Sequence, residues 1–201
     1  PGRLLFAIMA VTAFISMWVN NSATTVMMLP IATATLVAVT RTLGSANPDP
    51  QEQRFASALV LSIAYASNIG GFSTPIGTPV NPIVIGILDK NLDVQVTFLQ
   101  WLAFGVPLML VALPVTWWLL RVAFPFRMQA GSPESIAAAI GRTPAMGTPE
   151  HRVLAVVLLT SAAWIMLPLL EPLVPGLTDA GIAIAAALAL AVIPSGERRT
   201  P

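Results

Sequence analysis

Two short polar runs interrupt long stretches of apolar sequence that carry no ionised side chain. The first runs from Asn20 to Thr25, and the second from Ser67 to Gly71, continuing through Gly77 to Pro82. Burying an unpaired amide or hydroxyl in hydrocarbon costs several kcal/mol. A chain that keeps two such clusters in its apolar segments therefore predicts a site for a polar solute, formed where membrane helices are broken.

The composition is that of a membrane protein. Charged residues make up 9% of the chain, hydrophobic residues make up 56%, and the mean hydropathy is +0.80, whereas soluble domains are roughly 25% charged. We therefore predict an all-α integral membrane protein. A net charge of +1 and scattered arginines give no basic patch for nucleic acid. The absence of cysteine excludes disulfides, thiolate catalysts and cysteine metal sites within this sequence.

The first polar run separates two apolar limbs that are each too short to cross a membrane. Leu4 to Val19 has 16 residues and Ala23 to Thr40 has 18, while a span needs about 20. A re-entrant helical hairpin over residues 4–40 fits better, with its polar tip near mid-depth and shielded by protein or lining a wet cavity. Ser22 or Asn21 is predicted to cap the second limb.

The second polar run predicts a discontinuous transmembrane helix over residues 55–88. Its first half ends at Asn68, a Gly-, Pro- and Thr-rich break follows from Gly70 to Pro82, and Asn81 with Pro82 suits the first turn of the second half. Residues 98–124 are mostly apolar, with Arg121 near the end, and predict a transmembrane helix.

The remainder divides into a polar linker and two further apolar segments. Residues 125–152 predict a cytoplasmic linker, and residues 153–201 hold two transmembrane helices, at 153–170 and 180–193. The chain begins with proline and ends soon after an apolar segment, so we expect it to be a fragment of a longer protein.

This scheme places the basic residues asymmetrically. Lys90 falls on one side, and nine arginines fall on the other: Arg3, Arg41, Arg54, Arg121, Arg127, Arg142, Arg152, Arg198 and Arg199. Short loops rich in Lys and Arg stay in the cytoplasm. We therefore expect a multi-pass protein of the plasma (inner) membrane whose arginine-rich loops are cytoplasmic.

The two breaks predict sites for ions of both signs. A helix that begins at each break directs unpaired N–H groups and a positive dipole end at the membrane midplane, which favours an anion. Carbonyls freed near Met17 to Asn20 and near Gly77, with the side-chain oxygens of Ser16, Asn20 and Asn21, suit a sodium ion. The predicted apolar segments hold no Asp, Glu, Lys or His at mid-depth, so sodium coupling is favoured over proton coupling.

The run from Ser16 to Pro30 resembles the serine-asparagine-threonine signature of the divalent anion/sodium symporter family, and Gly77 to Asn81 resembles its partner in the following broken helix. That family includes sodium-coupled carriers of succinate, other C4-dicarboxylates and citrate. Its members are typically homodimers that work by an elevator motion of a transport domain against a scaffold. This chain reads Asn20-Asn21-Ser22 at the signature, which retains an oxygen at each position.

The resemblance implies roles for particular residues. Residues 1–124 would belong to the first of two inverted repeats, and residues 153–201 would open the second. The implied sodium ligands are Ser16, Asn20, Asn21 and the carbonyl of Gly77, and the implied substrate contacts are Asn21, Ser22 and Thr78. No cofactor is expected, and no metal other than sodium as the coupling ion. The other half of the substrate site would lie outside this chain, so we expect no transport by the chain alone.

The residues of the apolar segments do not suit an intramembrane enzyme, whereas two other transport classes stay open. An intramembrane serine protease needs a Ser and a His in one site, but the single histidine, His151, lies outside the apolar segments, and no pair of helical Asp residues serves an aspartyl enzyme. We therefore predict no catalytic residue. An ion channel remains an alternative, because re-entrant loops also form selectivity filters. An arsenite or proton-linked antiporter of the wider ion-transporter group is a further alternative.

Overall fold

The computed structural model describes residues 2–43, 50–126, 146–170, 172–174 and 176–193, with residues 38–43 described by their backbone. All regular structure in these ranges is helical, which confirms the all-α prediction. The helices are α1 (Gly2–Ser16), α2 (Asn21–Leu43), α3 (Pro50–Phe72), α4 (Val80–Leu92), α5 (Phe98–Ala123), α6 (Thr148–Leu170) and α7 (Asp179–Val192).

The chain divides into two compact units. The first comprises Pro1–Val96 with Gln100–Arg142, and the second comprises Thr97–Leu99 with Thr143–Pro201. The linker predicted over residues 125–152 falls largely on residues 127–145, which lie outside the described residues, as does the end of the chain from residue 194. The assignment of the two inverted repeats remains a prediction.

In the first unit, the end of α1 and the start of α2 meet at the end of α3. Ser16 Oγ donates a hydrogen bond of 2.7 Å to the carbonyl of Ser67, and the hydroxyls of Thr25 and Ser67 lie 3.0 Å apart. Both α1 and α2 pack against α3. The breaks that follow α1 and α3 are therefore brought together at one level of the unit.

The opposite ends of these helices also meet. Trp117 Nε1 of α5 donates a 2.8 Å hydrogen bond to the carbonyl of Gly2, and the ring of Phe55 packs edge-on against Phe126, 5.1 Å between centroids. Helices α1 and α3 thus run in the same direction and α5 runs back beside them. Helix α2 starts at the level of the breaks and contributes Met28 to the same core, so α1 and α2 form a helical hairpin, and its re-entry from one side of a membrane stays a prediction.

The core of this unit is a stripe whose chemistry changes along its length. On α1 and α3 the buried positions recur every three or four residues, as an amphipathic helix requires. Near the helix starts the stripe is apolar, with Leu5, Met9, Phe55 and Leu59 at most 1% exposed. Near the helix ends it becomes small and polar, at Ala13, Ser16, Ser67, Gly70 and Gly71. The apolar part holds the helices together, and the polar part faces the breaks.

The first break is displaced from its predicted position, and the second is shorter than the sequence predicts. Helix α2 already begins at Asn21, so the limbs of the hairpin are separated by residues 17–20 rather than 20–22. Helix α3 continues past Asn68 through Gly70 and Gly71 to Phe72, and the second break spans residues 73–79. The predicted half-segment was therefore too short, because two consecutive glycines indicated a break where the structure has a packed helix. Helix α6 likewise begins at Thr148, inside the predicted linker.

Among the described residues, three helices are long and apolar enough to cross a membrane, namely α3, α5 and α6. Large apolar side chains also cover the outer surface of α5, where Phe104, Leu110 and Val111 are all more than 60% exposed. A continuous apolar exterior of this kind is suited to contact with lipid.

The second unit is held by aromatic contacts. The ring of Phe98 stacks on Trp164, 4.7 Å between centroids, and Trp164 Nε1 donates a 3.1 Å hydrogen bond to the carbonyl of Asp179. Thr178 caps α7, because its Oγ1 accepts a 3.1 Å hydrogen bond from the Gly181 N–H. With 14 residues, α7 is shorter than a full span.

Candidate functional site

The site lies where the breaks after α1 and α3 meet, and its centre is a group of four oxygen atoms. Asn21 Oδ1 lies 3.0 Å from Ser16 Oγ and 3.2 Å from the carbonyl oxygens of both Ser67 and Gly77. Ser16 is fully buried and its single hydroxyl hydrogen has the Ser67 carbonyl as its nearest acceptor. The group is therefore rich in acceptors and poor in donors.

Gly71 and Gly77 make room for this group. A Cβ on Gly71 would overlap Asn21 Oδ1, and a Cβ on Gly77 would overlap the carbonyl oxygen of Gly71. Any side chain larger than hydrogen at Gly71 would thus displace the amide from its place among the carbonyls. Glycine is required here for close approach rather than for an unusual backbone angle.

Two arrangements can give these four oxygen atoms a favourable partner. Either a cation lies among them, or the Asn21 amide turns over and its NH₂ group donates to the carbonyls of Ser67 and Gly77. Hard monovalent cations bind neutral hydroxyl, amide and carbonyl oxygens at broken membrane helices. The donor set of Ser16, Asn21, Ser67 and Gly77 therefore fits a sodium ion.

Three of the four predicted sodium ligands belong to this group, and Asn20 has a different role. Asn20 Oδ1 accepts a 2.8 Å hydrogen bond from the Ala23 N–H, so Asn20 is the N-cap of α2. The prediction that Ser22 or Asn21 caps this helix was wrong. Both residues lie inside its first turn, because the helix begins earlier than the hydrophobic pattern indicated.

The carbonyls freed at the first break are largely taken by threonines of the first unit. Thr74 Oγ1 donates a 2.5 Å hydrogen bond to Met17 O and accepts one of 3.0 Å from the Gly77 N–H. Thr24 Oγ1 donates to Val19 O at 3.3 Å. The predicted pool of free carbonyls between Met17 and Asn20 is thus smaller than expected, and Thr74 ties both breaks to each other.

Asn81 also differs from its predicted role at the helix start. Its side chain is 5% exposed, and its Nδ2 donates to the carbonyls of Gly71 at 2.9 Å and Thr74 at 2.6 Å. The N-cap of α4 is Pro79, which has no side-chain cap. Asn81 therefore closes the second break by bridging the end of α3 to the loop.

The starts of α2 and α4 differ in how many free backbone N–H groups they offer to the predicted anion. At α2 the N–H groups of Asn21 and Ser22 precede the first capped N–H, that of Ala23. At α4 the Asn81 N–H donates to Thr78 O at 3.1 Å, and Pro82 has no N–H. The start of α2 is thus the stronger source of backbone donors.

Ser22 and Thr78, the other predicted substrate contacts, adjoin the oxygen group. Each follows directly a residue of that group, Asn21 or Gly77, whose facing oxygens lie 3.2 Å apart. Ser22 is exposed, Thr78 is partly exposed, and in the part of the chain that the structure describes neither hydroxyl has a hydrogen-bond partner. Both can therefore donate to a solute beside the cation.

Sequence reasoning missed four residues of this site: Ser67, Asn68, Thr74 and Asn81 as a bridge. Ser67 acts through its backbone carbonyl, which the sequence does not distinguish from any other carbonyl. Thr74 lies in a Ser-Thr-Pro run directly after α3, and a buried hydroxyl beside a membrane break is a usable signal. The signal for Asn68 was its place in the second polar run.

The sequence model of the CitMHS family, described as citrate transporter, matches residues 1–197. The chain belongs to this transporter family. Members of the family are transporters rather than enzymes, and the chain is part of an integral membrane protein.

Individual relatives are similar along most of the chain. The sodium-dependent dicarboxylate transporter SdcS of Staphylococcus saprophyticus subsp. saprophyticus is 35% identical over 168 residues, covering 82% of this chain and 32% of the relative. SdcS of Staphylococcus aureus strain USA300 is 32% identical over 200 residues, covering 96% of this chain and 38% of the relative. The chain thus spans about a third of the length of these curated relatives.

Proposed function

We propose that the full-length protein is a sodium-coupled symporter of divalent anions such as C4-dicarboxylates or citrate, and that this chain carries half of the substrate site. The observation that carries the proposal is the group of four oxygens on Ser16, Asn21, Ser67 and Gly77. Asn21 Oδ1 faces two carbonyls at 3.2 Å, an arrangement that a cation stabilises. The names of the relatives, sodium-dependent dicarboxylate transporters, support the same cation and substrate class.

The chemistry of coupling follows from the position of the anion-binding groups beside the cation. A sodium ion among the four oxygens adds a positive charge next to the N–H groups of Asn21 and Ser22 and the hydroxyl of Thr78. In a low-dielectric setting this charge strengthens binding of a carboxylate. The carboxylate in turn favours the cation, so each ion increases the affinity of the protein for the other.

The proposal extends to the setting of the transporter. The full-length protein would lie in the plasma (inner) membrane with its arginine-rich loops in the cytoplasm, form a homodimer and move by an elevator mechanism. Its remaining substrate contacts would come from the second repeat. The resemblance in the signature run from Ser16 to Pro30 and the family membership support these assignments.

Uptake by the full-length protein in proteoliposomes tests the proposal. Succinate, citrate and sulfate are each supplied with and without an inward sodium gradient. We expect saturable uptake of at least one of the three that requires sodium, because the cation completes the anion site. Current without any sodium requirement would instead indicate a channel and would overturn the proposal.

Replacing Asn21 by alanine tests the site itself. The substitution removes an oxygen from the cation group and a side chain from the start of α2, so we expect Asn21→Ala to abolish sodium-driven uptake. Asn91→Ala is the matched control, because Asn91 is an exposed asparagine in the last turn of α4. Undiminished uptake by Asn21→Ala would remove Asn21 from the site.

A further inference from the structure

Asn68 lies beside the oxygen group, on an exposed position of α3, and its amide has a defined direction. Asn68 Nδ2 donates a 2.8 Å hydrogen bond to the carbonyl of Ala64, one turn earlier in the helix. A backbone carbonyl can only accept. The oxygen of the Asn68 side chain must therefore point the other way, toward Asn21.

The orientation of the Asn68 amide determines the orientation of the Asn21 amide. Asn68 Oδ1 accepts a 3.0 Å hydrogen bond from Asn21 Nδ2, so the NH₂ group of Asn21 faces Asn68. Its oxygen is then left facing the carbonyls of Ser67 and Gly77. The backbone carbonyl of Ala64 thus sets the orientation of the Asn68 amide, which in turn sets the orientation of the Asn21 amide.

The reverse orientation places oxygen against oxygen at each step. If the Asn21 amide turned over, its oxygen would face Asn68 Oδ1 at 3.0 Å. If Asn68 turned over as well, its oxygen would face Ala64 O at 2.8 Å. Two acceptors at these distances repel each other, and among the described residues no hydroxyl is hydrogen-bonded to Asn68 to relieve the contact.

We propose that Asn68 is a positioning residue that holds the Asn21 amide oxygen toward the cation and thereby sets the sodium affinity of the site. The inference rests on the proposed function, since it assumes that the oxygen group binds sodium. Asn68 acts through Asn21 and belongs to neither the predicted sodium ligands nor the predicted substrate contacts. Without its acceptor, Asn21 can turn its NH₂ group to the carbonyls of Ser67 and Gly77 and compete with the ion.

Three variants of the full-length protein separate orientation from general structure. Asn68→Leu keeps the size and removes the acceptor. Asn68→Asp loses the donor to Ala64 O, so its exposed carboxylate turns away from that carbonyl. It keeps an acceptor that requires the Asn21 NH₂ group to face it, and it adds a negative charge near the cation. Ser57→Ala is the control, because it removes another exposed α3 side chain that donates to its own helix, at 2.9 Å to Gln53 O.

Sodium binding is measured without transport, as the rise in melting temperature of the purified protein when choline chloride is replaced by sodium chloride at constant ionic strength. The sodium dependence of uptake is measured beside it. For Asn68→Leu we expect the half-saturating sodium concentration to rise about tenfold, the worth of roughly one hydrogen bond, with the maximal rate retained. Ser57→Ala should keep the wild-type value within about threefold, a fraction of one hydrogen bond, and Asn68→Asp should keep or lower it, because its negative charge also favours a cation.

The possible outcomes separate the positioning role of Asn68 from the proposed function. An unchanged sodium dependence in Asn68→Leu overturns the positioning role while leaving the proposed function in place. An equal loss in Asn68→Asp and Asn68→Leu does the same, because it shows that an acceptor at residue 68 does not set the sodium affinity. If Asn68→Leu does not fold, Asn68→Ala replaces it with the same expectations. A wild-type protein that sodium does not stabilise overturns the proposed function and this inference together.

Discussion

At the scale of single residues, Thr74 joins the two breaks through one hydroxyl. Its side chain is fully buried, and Oγ1 bridges the carbonyl of Met17 and the N–H of Gly77. Thr74→Val keeps the shape and leaves both backbone groups without a partner, at about 1–3 kcal/mol for each buried unsatisfied group. We expect a lower melting temperature and weaker stabilisation by sodium, both measured on the purified full-length protein.

Thr33→Val is the control for this substitution. Thr33 is exposed, and its Oγ1 donates only to Leu29 O in its own helix, at 2.9 Å. An exposed change of this kind is usually within about 0.5 kcal/mol. Equal melting temperatures for the two variants would show that the Thr74 bridge does not hold the breaks together.

The sequence predicted which residue types gather at the site better than what each one does. Polar side chains inside apolar segments identified Ser16, Asn21 and Gly77, because burial in a membrane demands a partner. The same argument could not choose between Asn20 as a ligand and Asn20 as a cap. It could not assign Asn81, whose acceptors lie seven and ten residues earlier, because those contacts depend on how the second break folds.

At the scale of helices, the packing of α1 on α3 depends on Gly70. A Cβ on Gly70 would overlap the backbone of Ala13, and backbone cannot move aside as a flexible side chain can. We expect Gly70→Ala to separate the helix ends and to lower stability by about 1–3 kcal/mol, the usual range for overpacking. Thermal unfolding of the purified full-length protein measures the change, and sodium stabilisation should weaken with it.

Gly86→Ala is the control for Gly70→Ala. Gly86 lies in α4, and a methyl group added there would meet no heavy atom of the described residues within 4 Å. Its expected effect is neutral or stabilising, by up to about 1 kcal/mol from helix propensity. If Gly70→Ala were as stable as Gly86→Ala, the close approach of α1 and α3 would not matter.

The two glycines also explain why the predicted boundary of α3 was wrong. From sequence, Gly70 and Gly71 indicated the start of a break, because glycine weakens a helix. In the structure each position has room only for glycine, because the Ala13 backbone lies against Gly70 and the Asn21 side chain lies against Gly71. Hydrophobic periodicity therefore predicted the presence and order of the helices, whereas their ends were decided by contacts between segments distant in sequence.

At the scale of the whole molecule, Arg3, Arg54 and Arg121 lie at one end of the first unit. The Arg121 guanidinium lies against Gly2 and 5.1 Å from the centre of the Trp117 ring, and Arg3 is the next residue along α1. Arg54 precedes Phe55, which packs on Phe126 beyond the end of α5. The second break lies at the level of Gly105, which is packed against the backbone of Ser73, and Gly105 is about 24 Å along α5 from Arg121 at 1.5 Å per residue.

This grouping predicts the orientation of the full-length protein in its membrane. Basic residues that share one end are retained on the cytoplasmic side, while Lys90 lies in the last turn of α4, beyond the second break. The chain contains no cysteine, so single cysteines at Arg54, Arg121 and Lys90 report position without interference from this part of the protein. A membrane-impermeant thiol reagent is applied to intact cells and to inverted vesicles.

We expect Lys90→Cys to react in intact cells, and Arg54→Cys and Arg121→Cys to react only in inverted vesicles. The reason is that α1 and α2 return to the side on which they began, so that the α3–α4 pair and α5 each cross once between Arg54, Lys90 and Arg121. Reaction of Arg54→Cys and Arg121→Cys from opposite sides would contradict the shared end. Reaction of all three from one side would mean that the α3–α4 pair does not cross, and the two breaks would then not lie at the middle of the membrane.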